Sequence, residues 1–346
     1  LPILANVLLA TDEGRLKLTV SDLESCLSLW IGAMVEEEGA ITLPARMFRD
    51  VVSALPDDRL TLSADARTAT ILCGSTEQVL SGLPADDFPP TYRIEGQRLE
   101  LDGLALRQAI RWTAPFVYGG SDRPVLQAVL MEVEDGIVSF VASDGYRLAK
   151  YDLDIGVSPV GQLRAPVSGG ALMKLSQLSQ FCKGDMVGVL IGGNYVRFEA
   201  ANAELTTTRS PLSYPSYHNM IPTELKSVVS VNVRELRAAV NAASKIVASG
   251  SNIVRFAYAS DTLVVSGRLE EGATYRAEVK CIGSNVPEFK IAFNCRYVLD
   301  LLTALGDGAV TIGVNDPSSL AVFRALGYPY YTHVIMPMFV RWEEQD

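Results

Sequence analysis

The sequence contains only two histidines, His218 and His333, and five cysteines, Cys26, Cys73, Cys182, Cys281 and Cys295. The cysteines are odd in number, widely spaced and form no C-x-x-C pair. That argues against a disulfide framework or a zinc site and points to a reducing cytoplasm. No apolar run approaches the roughly 20 residues of a membrane helix, so no membrane partner is expected. The opening residues LPILANVLLATDEG have no basic segment and no small-residue cleavage site, and they alternate like a strand rather than a signal peptide. The patterns G-x-x-x-x-G-K-[ST], H-E-x-x-H and G-x-S-x-G are all absent, which removes the P-loop, the zinc-protease helix and the nucleophile elbow. No cofactor, metal or catalytic residue is expected. Positive charge is also scarce: the net charge is −10, which on its face disfavours nucleic acid unless the charge is segregated.

What is present is a pattern that comes three times. Residues 2–23, 124–145 and 252–267 each read as an alternating strand, a short turn bearing Asp, and a second alternating strand that ends near Ser-Asp or Ser-Gly. Residues 44–65, 169–192 and 294–314 each read as a short amphipathic helix, a turn and a strand. These helices stop at Leu-Pro-Asp, Cys-Lys-Gly and Leu-Gly-Asp. A further helix precedes the hairpin at 104–116 and 233–248 and is missing before the first hairpin, where the chain begins in mid-pattern. The Pro-rich segments 83–97 and 210–222 read as linkers. The chain is therefore read as three copies of one α+β domain, at 1–92, 93–214 and 215–346, the first without its leading strand and helix.

Basic residues fall on helical stripes. In 233–248, Val233, Leu236, Val240, Ala243 and Val247 form the inner face, and Arg234, Arg237, Asn241 and Lys245 the opposite one. In 104–116, Leu106, Ile110 and Thr113 face one way and Arg107 and Arg111 another. In 44–55, Arg46 and Arg49 lie with Ser53, with Met47, Val51 and Leu55 behind. Lys174 and Gln177 mark the polar side of 171–181. The carboxylates cluster elsewhere, at Glu36 to Glu38, Asp57-Asp58 and Asp86-Asp87. Such stripes are either ordinary solvated faces or a field suited to a polyanion, with arginines spaced for phosphate contact without base readout.

Seven strings, in order, carry a resemblance: LPILANVLL, PARMFRDVVSALP, SGLPADDFP, RPVLQAVLMEVEDG, VASDGYRLAK, FNCRYVLDLLTAL and YYTHVIMPM. Together they resemble the bacterial sliding clamps, the β subunits of DNA polymerase III. The resemblance implies three clamp domains per chain and a head-to-tail homodimer that forms a closed ring. Helices would face encircled duplex DNA, with Arg46, Arg49, Arg107, Arg111, Lys174, Arg234, Arg237 and Lys245 in the lining. It implies a tether rather than an enzyme. The implied partners are DNA, a second copy of the chain, the polymerase III catalytic subunit, the clamp loader and other proteins with a clamp-binding motif, in a bacterial cytoplasm at the nucleoid.

The resemblance also implies a groove for a short peptide with hydrophobic anchors. Matching positions are Leu126, Ser143, Gly145, Tyr146, Arg147 and Leu148, then Pro215 and Met220, then Asn294 and Tyr297, and finally Val334, Met336, Pro337 and Met338. Asp144 is expected to form a turn rather than to act as an acid or base, and Arg147 and Asn294 to supply polar fixings. Leu80, Ile246 and Val247 match segments at the subunit interface. Three departures stand out. Tyr146 replaces a frequent His. Ser251 is small where some clamps are bulky. The residues FVRWEEQD run past the Met-Pro-Met, so that Trp342 is expected to edge or partly cover the groove.

Overall fold

The computed structural model describes residues 1–90, 92, 94–157, 161–178, 185–269, 272–283 and 286–342. The element order repeats. The first pass is β1 (Asn6–Asp12), β2 (Arg15–Ser21), β3 (Ser25–Gly32), β4 (Ala40–Pro44), α1 (Ala45–Ala54), β5 (Leu60–Ala64), β6 (Thr68–Cys73) and β7 (Thr76–Ser81). The second is β8 (Gln97–Asp102), α2 (Gly103–Thr113), β9 (Ala128–Glu134), β10 (Ile137–Ser143), β11 (Arg147–Asp154), β12 (Leu163–Ser168), α3 (Gly169–Gln177), β13 (Met186–Gly192), β14 (Tyr195–Ala200) and β15 (Ala203–Thr208). The third is β16 (Ser227–Asn232), α4 (Val233–Val247), β17 (Ile253–Ala259), β18 (Thr262–Arg268), β19 (Thr274–Ile282), β20 (Phe289–Asn294), α5 (Cys295–Leu305), β21 (Ala309–Val314), β22 (Ala321–Ala325) and β23 (Tyr331–Ile335). The strand and helix that open the second and third passes have no counterpart before β1. Residues 2–5, read as part of a strand, instead form a 3₁₀ turn with Pro at its start.

The three hairpins share one turn geometry. Their central residues have positive φ: Glu13 and Gly14, Asp135 and Gly136, Ser260 and Asp261. Two left-handed residues match the right-handed twist of the flanking strands, which is why short polar residues and Gly recur there. The helix starts recur as well. Asn232 Oδ1 accepts the main-chain N–H of Arg234 and Glu235 at α4, and Asn294 Oδ1 accepts that of Arg296 at α5. α5 stops at Gly306, φ +77. The Cys182-Lys183-Gly184 stop expected after α3 lies outside the described residues.

Contacts divide the chain into two compact units. Unit one comprises residues 1–104 and 174–209 and unit two residues 105–173 and 210–346. Unit one holds an eight-stranded sheet, β4-β1-β2-β3-β15-β14-β13-β8, and the three-stranded sheet β5-β6-β7. Val7, Leu9, Ile41, Leu43, Ala69, Ile71 and Leu80 form a core there, against which Ala45, Phe48, Val51 and Leu55 pack. The inner face of α1 is thus set by Phe48 rather than Met47, which is exposed. Spacing 45, 48, 51 and 55 fits one helical face as well as 47, 51 and 55 does, and only the sheet decides between them.

Unit two is built on a twelve-stranded sheet, β12-β9-β10-β11-β23-β22-β21-β16-β19-β18-β17-β20. Every residue of β9 but the last is buried. α4 buries Val233, Leu236, Val240, Ala243 and Val247, the face read from the sequence, and α2 buries Leu106, Ile110 and Thr113. Within the sheet β11 pairs antiparallel with β23, with Leu148 opposite Val334 and Ala149 opposite His333. His333 is fully buried; its Nδ1 lies 3.1 Å from the Tyr331 hydroxyl, and its ring meets Phe116 edge-on.

Two predictions follow from this packing. A Cβ at Gly136, φ +79, would lie 1.8 Å from the Gly156 carbonyl oxygen, whereas one at Gly14, φ +72, would meet nothing within 4 Å. Gly136→Ala is expected to cost well over the ~1–2 kcal/mol of left-handed strain alone, and Gly14→Ala to stay within it; equal losses in denaturant unfolding would contradict the close approach. Burial, helped by the Arg147 guanidinium, holds the His333 pKa well below its ordinary value. The unfolded chain therefore takes up a proton near pH ~6.5 that the native state refuses, so stability falls as pH drops below that point, by at most ~1.4 kcal/mol per unit. His333→Gln should flatten the fall between about pH 7 and pH 5; an unchanged slope would refute the buried neutral imidazole.

Candidate functional site

The VASDGYRLAK segment, residues 141–150, is where the sheet seam meets the surface. Asp144 Oδ1 accepts the main-chain N–H groups of Tyr146 and Arg147, at 2.9 and 3.0 Å. Ser143 Oγ accepts from Gly145 N–H and donates to the Arg147 carbonyl. The first repeat makes the same turn: Asp22 Oδ1 accepts from Glu24 and Ser25, and Ser21 Oγ from Leu23 N–H. Asp144 is thus a turn-former, with Oδ1 taken up by main-chain donors. Gly145, φ +91, permits the turn, and a Cβ there would press on Arg123. In the third repeat β18 runs on through Ser266, Gly267 and Arg268 without this turn.

Arg147 leaves the turn and is enclosed at once. Its Nε lies 2.9 Å from Asp144 Oδ2 and its Nη1 2.7 Å from Asp300 Oδ2, with only 9% of the side chain exposed. The guanidinium stacks 4.6 Å from the Tyr297 ring centre and 5.1 Å from that of Phe116. Its charge is matched within the chain, so it acts as a pillar that ties β11 to α5. Asn294 likewise spends its carboxamide oxygen on the α5 cap.

Leu148 and Val334, paired across the seam, form a buried floor with Leu130, Val141, Tyr214 and Tyr217, and Leu126 packs against it with Val125, Ile221 and Leu320. Burial raises the pKa of both tyrosine hydroxyls well above the ordinary value, and the Glu132 carboxylate, which accepts from Tyr217 Oη, raises that of Tyr217 further. Above this floor stand exposed apolar side chains: Tyr146, Pro215, Met220, Met336 and Met338. Main-chain bonds set the rim. Met336 N–H donates to the Tyr146 carbonyl at 2.8 Å, Met338 N–H to the Ala292 carbonyl at 2.7 Å, and Met220 N–H to the Tyr217 carbonyl at 2.9 Å. Tyr146 and Tyr297 stack at 6.2 Å, and Pro337 is buried between the two methionines. All fourteen residues expected at the groove belong to unit two.

The sequence reading missed Tyr214, Tyr217, Ile221 and Leu320. The only available signal was a pair of tyrosines three apart in SPLSYPSYHNMIP, and its prolines had marked that segment as a linker. Trp342, expected to edge or partly cover the groove, is outside the floor cluster; its ring lies against Lys290 and Arg255, on β20 and β17. The Ser251 hydroxyl accepts Ile253 N–H at the start of β17.

The basic residues divide between the units. Arg46, Arg49 and Lys174 are in unit one, and Arg107, Arg111, Arg234, Arg237 and Lys245 in unit two. Lys174 pairs with Asp22, Arg49 with Asp50 and Arg234 with Asp307, all exposed pairs that a phosphate can displace at little cost. Arg234, Arg237 and Asn241 line a hollow of about 340 Å³ between α4 and α5. A second hollow of about 340 Å³, bordered by Tyr258, Arg276 and Lys290, lies on the β17–β20 face. Neither is lined by residues of the seam. Of the three residues expected at the subunit interface, Leu80 and Val247 have their side chains closed into their own cores, and only Ile246 keeps surface. Among the described residues no cluster of His, Cys, Asp and Glu could hold a metal, and no helix is long and apolar enough to cross a membrane. The described cysteines are buried free thiols, and Cys182 lies outside the described residues.

Comparisons with known proteins agree with this architecture. Residues 1–93 match the family described as DNA polymerase III beta subunit, N-terminal domain, and residues 218–339 its C-terminal domain. A beta sliding clamp of Synechococcus elongatus is 30% identical over 350 residues, covering 98% of this chain and 92% of the relative. The crystal structure of the DNA polymerase III subunit beta from Pseudomonas aeruginosa superposes with a TM-score of 0.90 at 27% identity, covering 98% of this chain and 94% of that one. A sliding clamp from the same organism bound to griselimycin gives 0.91 at 27% identity, covering 98% and 92%. On these grounds the chain belongs to the bacterial DNA polymerase III β-subunit family, the β sliding clamps.

Proposed function

We propose that this clamp works as a head-to-tail pair of chains closed around duplex DNA, holding partner proteins at the seam of β11 and β23. It is a non-catalytic processivity factor. The observation that carries the docking reading is the exposed rim of Tyr146, Met220, Met336 and Met338 over a closed aromatic and aliphatic floor. Methionines on such a rim adapt to varied apolar anchors, which suits a site shared among partners. The polymerase III catalytic subunit, the clamp loader and other motif-bearing proteins are its proposed occupants. Griselimycin, bound by the Pseudomonas aeruginosa clamp, is proposed to take the same seat here.

The three-domain division at 1–92, 93–214 and 215–346 supports ring closure through a strand rule. The strand that follows the hairpin in one repeat pairs with the last strand of the next: β3 with β15, and β11 with β23. The remaining members of that series are β19 and β7. β7 is an edge strand, and β19 meets β16 at only two residue pairs. Their pairing between two chains closes the series and covers the β7 edge. Ile246 adds side-chain surface near that joint. Arg46, Arg49, Arg107, Arg111, Lys174, Arg234, Arg237 and Lys245 would then face DNA. A ring retains DNA by topology, so these contacts need only be weak and non-specific, in keeping with a net charge of −10. Tethering raises the partner's effective concentration at the DNA. The proposed setting is a bacterial cytoplasm, at the nucleoid.

Two measurements test this. Light scattering should give twice the chain mass at micromolar concentration, and loaded protein should stay on circular DNA but leave linear DNA; a monomer, or equal retention on both, would contradict ring closure. Met338→Ala should weaken griselimycin binding by more than ~1 kcal/mol in calorimetry, and unchanged affinity would remove the rim from the site.

A further inference from the structure

The matched family segment ends at Phe339, and the chain continues through Val340, Arg341 and Trp342. β23 ends at Ile335, just before the Met336–Met338 wall of the groove. Beyond it the wall is held by two main-chain bonds, from Met336 to the Tyr146 carbonyl and from Met338 to the Ala292 carbonyl. Ala292 lies on β20, the last strand of the sheet, so this wall runs along a free edge. Phe339 offers no anchor, being 81% exposed. The next fixed point is Trp342. Its ring centre is 5.5 Å from Lys290 Nζ and 6.0 Å from Arg255 Cζ. The two cations come from neighbouring strands, with Arg255 opposite Ala292 and Ala257 opposite Lys290. Arg255 is 8% exposed, so its charge is largely removed from water, where an aromatic face counts for more than at an open surface.

We infer that the segment beyond Phe339 is a strap: Trp342, seated on Arg255 and Lys290, fixes the Met336–Met338 wall and so sets how tightly the groove holds its ligand. The inference rests on the seam being the ligand site. A wall pinned four residues downstream loses less conformational freedom when a ligand orders it than one with a loose end. Trp342 is thus a positioning residue that acts through Met336 and Met338.

Calorimetric titration of griselimycin into the parent protein, Trp342→Ala, Trp342→Phe, a chain ending at Phe339 and Met338→Ala tests the strap, with thermal unfolding to verify that each is folded. Trp342→Ala and the shortened chain should bind about three- to tenfold more weakly, and Trp342→Phe, which keeps an aromatic face, within about twofold of the parent. In 5-fluorotryptophan-labelled protein, the resonance assigned through Trp342→Phe should shift on ligand addition. Unchanged affinity for the shortened chain and Trp342→Ala, with Met338→Ala still weakened, would overturn the strap alone. Tighter binding by the shortened chain would overturn it in favour of a covering tail. No effect of Met338→Ala would overturn the seam as the site, and the strap with it.

Discussion

Antiparallel pairing of β11 with β23 is the constraint on which the rest depends. It brings Leu148 opposite Val334 and so makes a floor from strands more than 180 residues apart in sequence. It places His333 where no water reaches it and sets Arg147 between Tyr297 and Phe116. It also puts the Tyr146 carbonyl within reach of Met336 N–H, so the last rung of the seam is the first bond of the rim. A slip of β23 by one residue would turn Val334 to the opposite face and leave Leu148 without its partner in the floor.

Three polar side chains near the rim are engaged within the chain. Asp144 is taken up by its own turn, Arg147 by two carboxylates and two rings, and Asn294 by a helix cap. What is left for a visitor is mostly apolar: methionines, tyrosines and a proline. A surface of this kind holds many partners in turn because it demands shape and hydrophobicity rather than one fixed set of hydrogen bonds.

The hairpins and helix faces were legible because alternation, Asp/Gly turns and 3.6-residue stripes are local signals. The inner face of α4 was read correctly residue by residue, and Asp144 was recognised as a turn-former from its counterpart at Asp22. Met47 was misplaced because α1 is short and two faces fit its apolar residues equally. Tyr214 and Tyr217 were missed because irregular, proline-containing backbone carries no period, and their burial comes from the sheet beneath them. The internal pairing of Arg147 depended on Asp300, 153 residues away, and no local pattern reports that. The long-range strand order, and with it the groove, entered through resemblance rather than through the residues.

The most direct test of the seam as the docking site is amide hydrogen exchange with and without griselimycin. The account predicts added protection at residues 145–148, 214–221 and 334–338. Protection confined to the hollow between α4 and α5 or to the β17–β20 face, or none at the seam, would contradict it.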